Sequence, residues 1–321
     1  MKAVILIQRE ICEIFKIMLL NDELKNFEEK GIITLKEILN KDKCDELVAK
    51  VEKTRNWSKD LFRSEEDVKL DPQMTKTNPG RGVQNLAEEY DLDFIEKNEH
   101  FKSCVNSLVG EDYEIILKKF VVGVPEDWIP RWVQNIVSIK LNGNLGSYIK
   151  KDFRNVSYFR GIDYHMDLID HPGQIGDYIT VYVYLNDTDI NMSPLHVIEN
   201  SHHFGPTKFP HFIKNDGEDT IIYGPDENNH KKFNKQILTG NKGTVYFWSS
   251  ITLHGTKPTK SDKHRISLRY TIKKNKNYKN KVLIDNILNN MNKVKGLDIM
   301  RDDIDLNSKN LTQLKFNKIL K

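Results

Sequence analysis

Residues 160–168 read RGIDYHMDL, and the interpretation of the whole chain depends on them. In an extended strand, alternate side chains point to the same side, so His165 and Asp167 can approach one metal ion from one edge. A second histidine from a distant strand would complete a set of two histidines and one carboxylate, which leaves coordination positions open and suits non-haem Fe(II). With ten histidines in the chain, a His-x-Asp triplet is expected about once by chance, so the motif needs supporting context.

Composition limits the class of protein. The chain has 321 residues, enough for one large β-domain with additions or two small domains. Its formal net charge is only +3 although 30% of the residues are charged, so no overall charge signal for nucleic acid exists. We therefore expect a small-molecule substrate and no nucleic-acid partner. The composition does not predict an oligomeric state.

The cysteines and the N-terminal segment suggest a compartment. Three widely spaced cysteines, Cys12, Cys44 and Cys104, give no disulfide framework and no zinc pattern, which favours a reducing, cytoplasmic location. Residues 1–20 are apolar but interrupted by charges, and they have no small-residue cleavage site. They predict a packing helix, with no membrane association.

The first third of the chain predicts helices around one short strand. Periodicity and capping residues give helices at residues 1–20, 22–30 (ending at Gly31), 40–54 (with Asn40 as the cap) and 93–109 (ending at Gly110), and a strand at residues 32–35. Residues 56–92 are polar and contain several Pro and Gly residues, which is typical of a long surface loop or lid.

The pattern then changes to strands. The candidates are Tyr113–Val124, Val133–Leu141, Asp177–Leu185, Leu195–Ile198, Gly243–Trp248 and Arg265–Ile272. The tail after residue 273 predicts one helix with Leu283, Ile287, Met291 and Val294 on its apolar face. This order predicts a mainly β fold with flanking helices, a sandwich or jelly roll. Residues 1–321 are interpreted as one domain, with N-terminal helices and lid loop (1–110), a jelly-roll core (111–272) and a helical tail (273–321).

Two residues later in the chain support the interpretation of the His-x-Asp triplet as a metal site. His254 follows the strand at residues 243–248, and Arg265 comes eleven residues after it at the start of the next strand. A guanidinium group directed into the fold can bind a carboxylate through two hydrogen bonds. Iron chemistry of this kind needs two electrons from a co-substrate, and 2-oxoglutarate, whose far carboxylate needs such an arginine, supplies them. Arg269 has the same strand parity and is the competing candidate.

These motifs resemble those of the phytanoyl-CoA hydroxylase-like branch of the Fe(II)/2-oxoglutarate oxygenases. The resemblance rests on the triplets at residues 165–167 and 254–256 and on Arg265, and it extends over roughly residues 24–272. It is also carried by FEEKGII at residues 27–33 followed by CDEL at 44–47, and by SPLHVIENSH at 193–202. In the last stretch Glu199-Asn200 replaces the usual Pro-Gly, a difference in the loop over the site that leaves the metal-binding residues intact.

The resemblance implies a fold, a ligand set and cofactors. The fold is a double-stranded β-helix, a cupin-like jelly roll. His165, Asp167 and His254 would bind iron, and Arg265, assisted by Thr256, would anchor 2-oxoglutarate. Fe(II), 2-oxoglutarate and O2 would be the cofactors and co-substrates.

Several side chains have two interpretations. His202 and His203 could be extra ligands, but loop or substrate contacts are the stronger alternative. Lys140, and the basic stretch at residues 150–154 with Arg160, could contact an anion or could be ordinary surface. The tyrosines at positions 164, 182 and 184 could line a pocket, although sheet packing explains them equally well.

The sequence therefore predicts an Fe(II)/2-oxoglutarate-dependent dioxygenase. It would oxidise an unactivated C–H bond of a small, anionic metabolite and release succinate and CO2. Hydroxylation is the default outcome, and desaturation or oxidative cyclisation is possible with the same ligand set. The alternatives are a cupin-like metal enzyme that does not use 2-oxoglutarate, and a jelly-roll binding module without catalysis.

Overall fold

The computed structural model describes residues 21–71, 85–170, 175–291 and 319–321. The expected helix in residues 1–20 lies outside this part of the chain, as do residues 72–84 of the expected lid and Val294 of the tail helix. No helix among the described residues is both long and apolar enough to cross a bilayer.

Seven α-helices are described, most of them in the first half of the chain. They are α1 (21–30), α2 (Lys41–Arg55), α3 (Glu65–Leu70), α4 (Asp93–Glu96), α5 (Glu99–Val109), α6 (Arg131–Val137) and α7 (Leu283–Met291). The expected cap of α2 is present, because Asn40 Oδ1 accepts a hydrogen bond of 3.0 Å from the Lys43 amide. The single helix expected at residues 93–109 is divided in two, because Asn98 caps α5 by accepting from the Phe101 amide at 3.1 Å.

Twelve strands are described. They are β1 (Ile32–Leu35), β2 (Glu114–Gly123), β3 (Asn142–Asn144), β4 (Ser157–His165), β5 (Tyr178–Tyr184), β6 (Leu195–Ile198), β7 (Phe212–Asn215), β8 (Thr220–Gly224), β9 (Lys231–Leu238), β10 (Val245–Ser249), β11 (His254–Thr256) and β12 (Arg265–Lys273).

The strands form two layers. The first layer has the order β1-β10-β5-β12-β2, and the second layer has the order β4-β11-β6-β9-β8-β7, with β3 paired to the free edge of β4. A short parallel pairing of β2 with β4, from Val121 opposite Ser157 to Gly123 opposite Phe159, connects the layers. All other pairings are antiparallel. The protein is a mainly β jelly roll with flanking helices, as expected.

The alternation in β5 shows how the layers are packed. Val181 and Val183 belong to the large core, which also contains apolar side chains of α2 and α5. Tyr182 and Tyr184 point the opposite way into a smaller cluster together with Trp248 of the first layer. Leu195, Val197 and Leu238 of the second layer complete that cluster. The helices therefore cover the outer face of the first layer, and the inner faces of both layers meet in the interior of the roll.

Two expectations from the sequence need correction. Residues 133–141 are not a strand, since α6 covers Arg131–Val137. Val133 and Val137 are both buried and lie about one helical turn apart. In so short a segment, this spacing agrees with the period of a helix and also with the alternation of a strand. The described ends of the segment 56–92 are not a purely exposed loop, because six of their side chains are buried in the core. These are Trp57, Leu61, Phe62, Leu86, Ala87 and Leu92.

Candidate metal centre

Three side chains predicted from the sequence come together between the two layers. His165 ends β4 and lies opposite His254, which begins β11. Asp167 follows β4 directly and starts a short 3-10 helix, Asp167–Asp170. One nitrogen or oxygen atom from each of the three lies within 4.8 Å of the others, and all three residues are buried. The group has the composition and spacing that can hold a metal ion.

The hydrogen bonds of both histidines leave one nitrogen for a metal. His165 Nδ1 donates to the carbonyl oxygen of Asp163 at 2.9 Å, and His254 Nδ1 donates to that of Thr252 at 3.0 Å. Because a carbonyl only accepts, Nδ1 carries the proton in each ring and the lone pair is on Nε2. Burial lowers the pKa of His254 to about 4, so the ring is in the neutral form that a metal requires.

The two carboxylate oxygens of Asp167 have different surroundings. Oδ2 accepts hydrogen bonds from Thr180 Oγ1 at 2.6 Å and from Trp248 Nε1 at 2.9 Å. Oδ1 lies 3.7 Å from His254 Nε2 and accepts a hydrogen bond from Arg269. Since Oδ2 is already occupied, Oδ1 is the oxygen available to a metal beside the histidines.

Asp167 is ionised in spite of its burial. Burial alone would raise the pKa of this carboxyl group, but the charge of Arg269 and the hydrogen bond from Thr180 outweigh it. The pKa of Asp167 is therefore held well below its usual range.

Arg265 is a buried guanidinium whose partners are all uncharged. It donates through Nη2 to Tyr182 Oη at 2.9 Å and through Nη1 to the carbonyl oxygen of Ser193. Its Nε is buried and has no partner. Within the part of the chain that the structure describes, no carboxylate forms an ion pair with Arg265. A buried guanidinium without a counter-charge is costly, so this position favours an external anion.

Other polar groups converge on the same place. Thr259 Oγ1 and Ser267 Oγ are buried and have no hydrogen-bond partner. A Cβ atom placed on Gly123 would lie 3.6 Å from Thr259 Oγ1 and 3.6 Å from Arg265 Cβ. Ser267 is two residues beyond Arg265, on the same face of β12. The sequence interpretation singled out neither of these two hydroxyl groups.

Thr256 lies near this region on the inner face. It is buried in β11, two residues after His254. The register places it opposite Leu195, a member of the inner cluster, as His254 is placed opposite Val197. Thr256 and His254 therefore point to the same side of the second layer.

The remaining histidine candidates have another role. His202 Nε2 lies 3.0 Å from the carbonyl oxygen of Glu28, and His203 Nε2 lies 3.1 Å from that of Glu29. Both rings donate to carbonyls in the last turn of α1, which have no partner within the helix. The pair connects α1 to the loop after β6 and does not join the metal-ligand cluster.

The basic residues noted in the sequence are divided between two environments. Arg160 donates to Glu126 Oε1 through Nε at 2.9 Å and Nη2 at 2.8 Å, so its charge is compensated. Lys150 and Lys151 are exposed. Lys140 is half-buried after α6, and burial lowers its pKa. None of these residues contacts the three clustered side chains through a described hydrogen bond or ion pair.

The tyrosines also differ in role. Tyr164 packs in the large core. Tyr184 donates to the carbonyl oxygen of Leu238 at 2.8 Å and therefore supports the roll. Two of the three contact a predicted site residue: Tyr182 has a hydrogen bond and a ring contact with Arg265, and the ring centroid of Tyr184 lies 6.0 Å from the same guanidinium.

Comparison with known proteins identifies the family. The model of the phytanoyl-CoA dioxygenase (PhyH) family matches residues 27–267. The chain belongs to this family. A phytanoyl-CoA dioxygenase family protein is a non-haem iron, 2-oxoglutarate-dependent dioxygenase, and its cofactors and co-substrates are Fe(II), 2-oxoglutarate and O2. The alternatives without 2-oxoglutarate or without catalysis are not supported. No protein of curated function matches the sequence.

The chain is similar to solved structures at low sequence identity. The non-haem α-ketoglutarate-dependent epimerase SnoN of nogalamycin biosynthesis is 12% identical, with a TM-score of 0.50, over 80% of this chain and 83% of its own. EctD from S. alaskensis with bound Fe is 14% identical, with a TM-score of 0.47, over 82% of this chain and 79% of its own. At this identity the likeness concerns the fold alone.

Proposed function

We propose that this phytanoyl-CoA dioxygenase family protein binds iron through His165, Asp167 and His254. Arg265, assisted by Thr256, anchors the far carboxylate of 2-oxoglutarate. The enzyme oxidises an unactivated C–H bond of a small metabolite that carries negative charge, with hydroxylation as the default outcome. One observation carries the proposal: a buried arginine without an acidic partner shares the interior of the roll with two buried histidines and one ionised aspartate.

The donor set supports the metal assignment. Two imidazole nitrogens and one carboxylate oxygen match the ligands of non-haem Fe(II) sites with open positions. Their carbonyl, hydroxyl and indole partners fix both ring tautomers and the orientation of the carboxylate before a metal arrives. Little rearrangement is then needed for binding.

The unsatisfied donors support the co-substrate assignment. The Nε of Arg265 and the hydroxyl groups of Thr259 and Ser267 are buried and have no hydrogen-bond partner. A carboxylate would accept from all three at once and would compensate the buried charge. Thr259 and Ser267 therefore join Thr256 as proposed contacts of 2-oxoglutarate.

The residues of the chain set the conditions for the reaction. When bound, iron and 2-oxoglutarate together supply a two-electron oxidation by O2, and 2-oxoglutarate becomes succinate and CO2. Thr180 and Trp248 hold Asp167 so that it presents one oxygen, which leaves positions for the co-substrate and O2. Because Asp167 fills the ligand position that a halide would need, halogenation is disfavoured. Desaturation and ring closure use the same ligand set as hydroxylation.

The proposal is tested by metal and co-substrate binding. Anaerobic titration of the wild type with Fe(II) should show one site per chain, and 2-oxoglutarate should then give succinate when O2 is admitted. His165→Ala and Asp167→Ala should both lose tight iron binding and turnover. His203→Ala is the matched control, because it removes a histidine that contacts helix α1 and His202 and lies outside the metal-ligand cluster, and it should retain both. Full activity with unchanged iron content in either ligand variant would reject the assignment.

A further inference from the structure

A second arginine, Arg269, faces the same interior and is not used by the proposed function. It lies four residues beyond Arg265 on β12, so both side chains point to the inner face. Arg269 keeps 18% of its side chain exposed, whereas Arg265 is fully buried. Its Nη2 contacts Asp167 Oδ1, and its Nε is buried and has no partner. Arg269 thus lines the accessible part of the site with an unused donor.

The ion pair of Arg269 competes with the proposed metal. Asp167 Oδ2 already accepts two hydrogen bonds, so Oδ1 is the oxygen left for iron. It is also the oxygen that Arg269 contacts. A dication bound to Oδ1 withdraws electron density from that oxygen and repels the guanidinium. With iron in place, the N–H groups of Arg269 therefore need another acceptor.

The formal charges of the loaded site leave an excess of positive charge. Fe(II) contributes two positive charges, and Arg265 and Arg269 contribute one each. Asp167 contributes one negative charge and 2-oxoglutarate two, while both histidines are neutral. One positive charge remains in this sum, and the buried Nε of Arg269 still has no hydrogen-bond partner. A half-buried charge without a partner is unfavourable, so a further anion is expected here.

We propose that Arg269 binds a negatively charged group of the substrate, a carboxylate or similar oxyanion, beside the metal. This inference rests on the proposed function and adds to it the residue that selects the substrate class. The planar guanidinium fork matches a carboxylate in a bidentate arrangement. Since Arg265 takes the far carboxylate of 2-oxoglutarate, the two arginines divide the two anions between them. The oxidised C–H bond then lies close to the anionic group of the substrate.

The experiment compares acids with their uncharged analogues. Protein loaded anaerobically with Fe(II) and 2-oxoglutarate has a visible charge-transfer absorption, which shifts when a substrate-like molecule enters the site. The probes are butanoate, hexanoate, octanoate and benzoate, each paired with its primary amide, and hexanesulfonate and hexyl phosphate as other oxyanions. The proteins are the wild type, Arg269→Gln, Arg269→Lys and Lys273→Gln. The last variant is the control, because it removes a cation from the same strand that pairs with Asp177 at 3.3 Å.

The wild type should bind at least one acid about tenfold to a hundredfold more tightly than its amide, the usual range for a charge-assisted hydrogen-bonded pair. Arg269→Gln should lose this preference, Arg269→Lys should keep part of it, and Lys273→Gln should keep all of it. The affinity of Arg269→Gln for 2-oxoglutarate should stay within about threefold of wild type, because Arg265 is unchanged. The relative binding of carboxylate, sulfonate and phosphate identifies the oxyanion.

Three results would overturn the inference. No acid of the panel is preferred over its amide by the wild type; the preference survives in Arg269→Gln; or the acids abolish the absorption because they displace 2-oxoglutarate. Failure of the proposed function looks different, because the wild type would then develop no charge-transfer absorption with Fe(II) and 2-oxoglutarate before any probe is added.

Discussion

The two layers of the roll differ in construction and in what they contribute to the site. The first layer contains the long strands β2 and β12, of 10 and 9 residues, and helices cover its outer face. The second layer contains β11 and β6, of 3 and 4 residues, and its strand β9 is largely exposed. Yet both clustered histidines come from the second layer.

The first layer supplies the side chains that bind the carboxylate of Asp167, and it also contains Arg265. Thr180, Trp248 and Arg269 bind the carboxylate of Asp167, and Arg265 lies on the same strand as Arg269. Both clustered histidines thus belong to the second layer, while the polar support of Asp167 comes from the first layer. The stability of the fold and the binding of the metal therefore depend on different layers in this protein. A substitution can reduce one of these properties without reducing the other to the same degree.

The largest expected effect is a loss of stability from the first layer alone. Phe247 is fully buried in β10 and its ring centroid lies 5.7 Å from that of Phe101 in α5. Phe247→Ala should reduce the free energy of unfolding by about 3–5 kcal/mol through lost burial and a residual cavity. Ile237→Ala in β9, where the side chain is 42% exposed, should change it by less than about 0.5 kcal/mol. Urea denaturation of both metal-free variants measures the change in the free energy of unfolding. Equal losses in the two variants would contradict the expected difference in packing between the layers.

The next effect concerns the co-substrate rather than stability. Removing one partner of a buried charge pair costs roughly 3–5 kcal/mol, so Arg265→Ala should weaken 2-oxoglutarate by about two to three orders of magnitude. Iron affinity should stay close to wild type, because Arg265 is not a proposed ligand. Arg265→Lys should recover only part of the loss, since an ammonium group cannot reproduce the guanidinium fork.

Arg269→Ala is the comparison for that measurement. It should reduce apparent 2-oxoglutarate affinity much less than Arg265→Ala, since Arg269 contacts Asp167 instead. Should Arg269→Ala give the large loss and Arg265→Ala the small one, the two arginines have been assigned in the wrong order.

A smaller effect tests support from the first layer to the metal. Trp248→Phe keeps a ring in place but removes the N–H group that donates to Asp167 Oδ2. Loss of such a supporting hydrogen bond typically lowers metal affinity by about tenfold to a hundredfold. Trp132→Phe is the control, because that ring packs against Tyr148 and not against the site. If iron titration gives the same affinity for Trp248→Phe as for wild type, this hydrogen bond does not contribute to iron binding and the prediction is wrong.

The smallest effect per group is a pH dependence centred on the second layer. Burial lowers the pKa to about 4 for His196, His202 and His254 and to about 3 for His211. Between the unfolded pKa near 6.5 and these values, the unfolded chain binds protons that the folded chain does not. Stability is therefore full above about pH 6.5 and falls as the pH decreases, by up to about 1.4 kcal/mol per pH unit for each histidine.

Hydrogen exchange of the metal-free protein locates this effect. Amides of β6 and β11 should lose protection between about pH 6.5 and 4, while those of β5 and β10 lose it later. Saturating metal should oppose the loss, because it holds His254 in the neutral form. Uniform protection over this pH range, or earlier loss in the first layer, would contradict the prediction.

The sequence predicted the first layer better than the second, for a physical reason. Strand β5 alternates strictly because one face meets the helices and the other meets the roll interior. Strand β9 reads KKFNKQIL and has exposed residues at half of its positions. Polar residues therefore stand where a buried strand would have alternating apolar residues. Strand β7, which also has exposed polar residues, was missed for this reason, and β3 was too short to show a period. Strand β8 was missed as well, although it reads TIIYG and none of its residues is exposed.

The site could be predicted in part. His165, Asp167 and His254 were singled out because they lie in short motifs, and the structure brings them together. The role of Arg265, chosen from its spacing to His254, stays a prediction. Thr180, Trp248 and Thr259 were not found, because their nearness to the site depends on strand register between segments far apart in the chain. For Ser267 a signal existed, since it shares the strand parity of Arg265. The assignment of Arg269 as a lesser competitor did not anticipate its contact with Asp167.

The position of Trp248 gives the protein an optical readout of its own. Its indole donates to Asp167, and its ring centroid lies 4.8 Å from that of His254. Two of the other tryptophans, Trp57 and Trp128, pack instead around His264, with centroids 5.7 and 5.3 Å from it. A paramagnetic ion bound beside Trp248 would quench the emission of that one indole first. Loading of the centre can therefore be followed by intrinsic fluorescence, without any added dye or label.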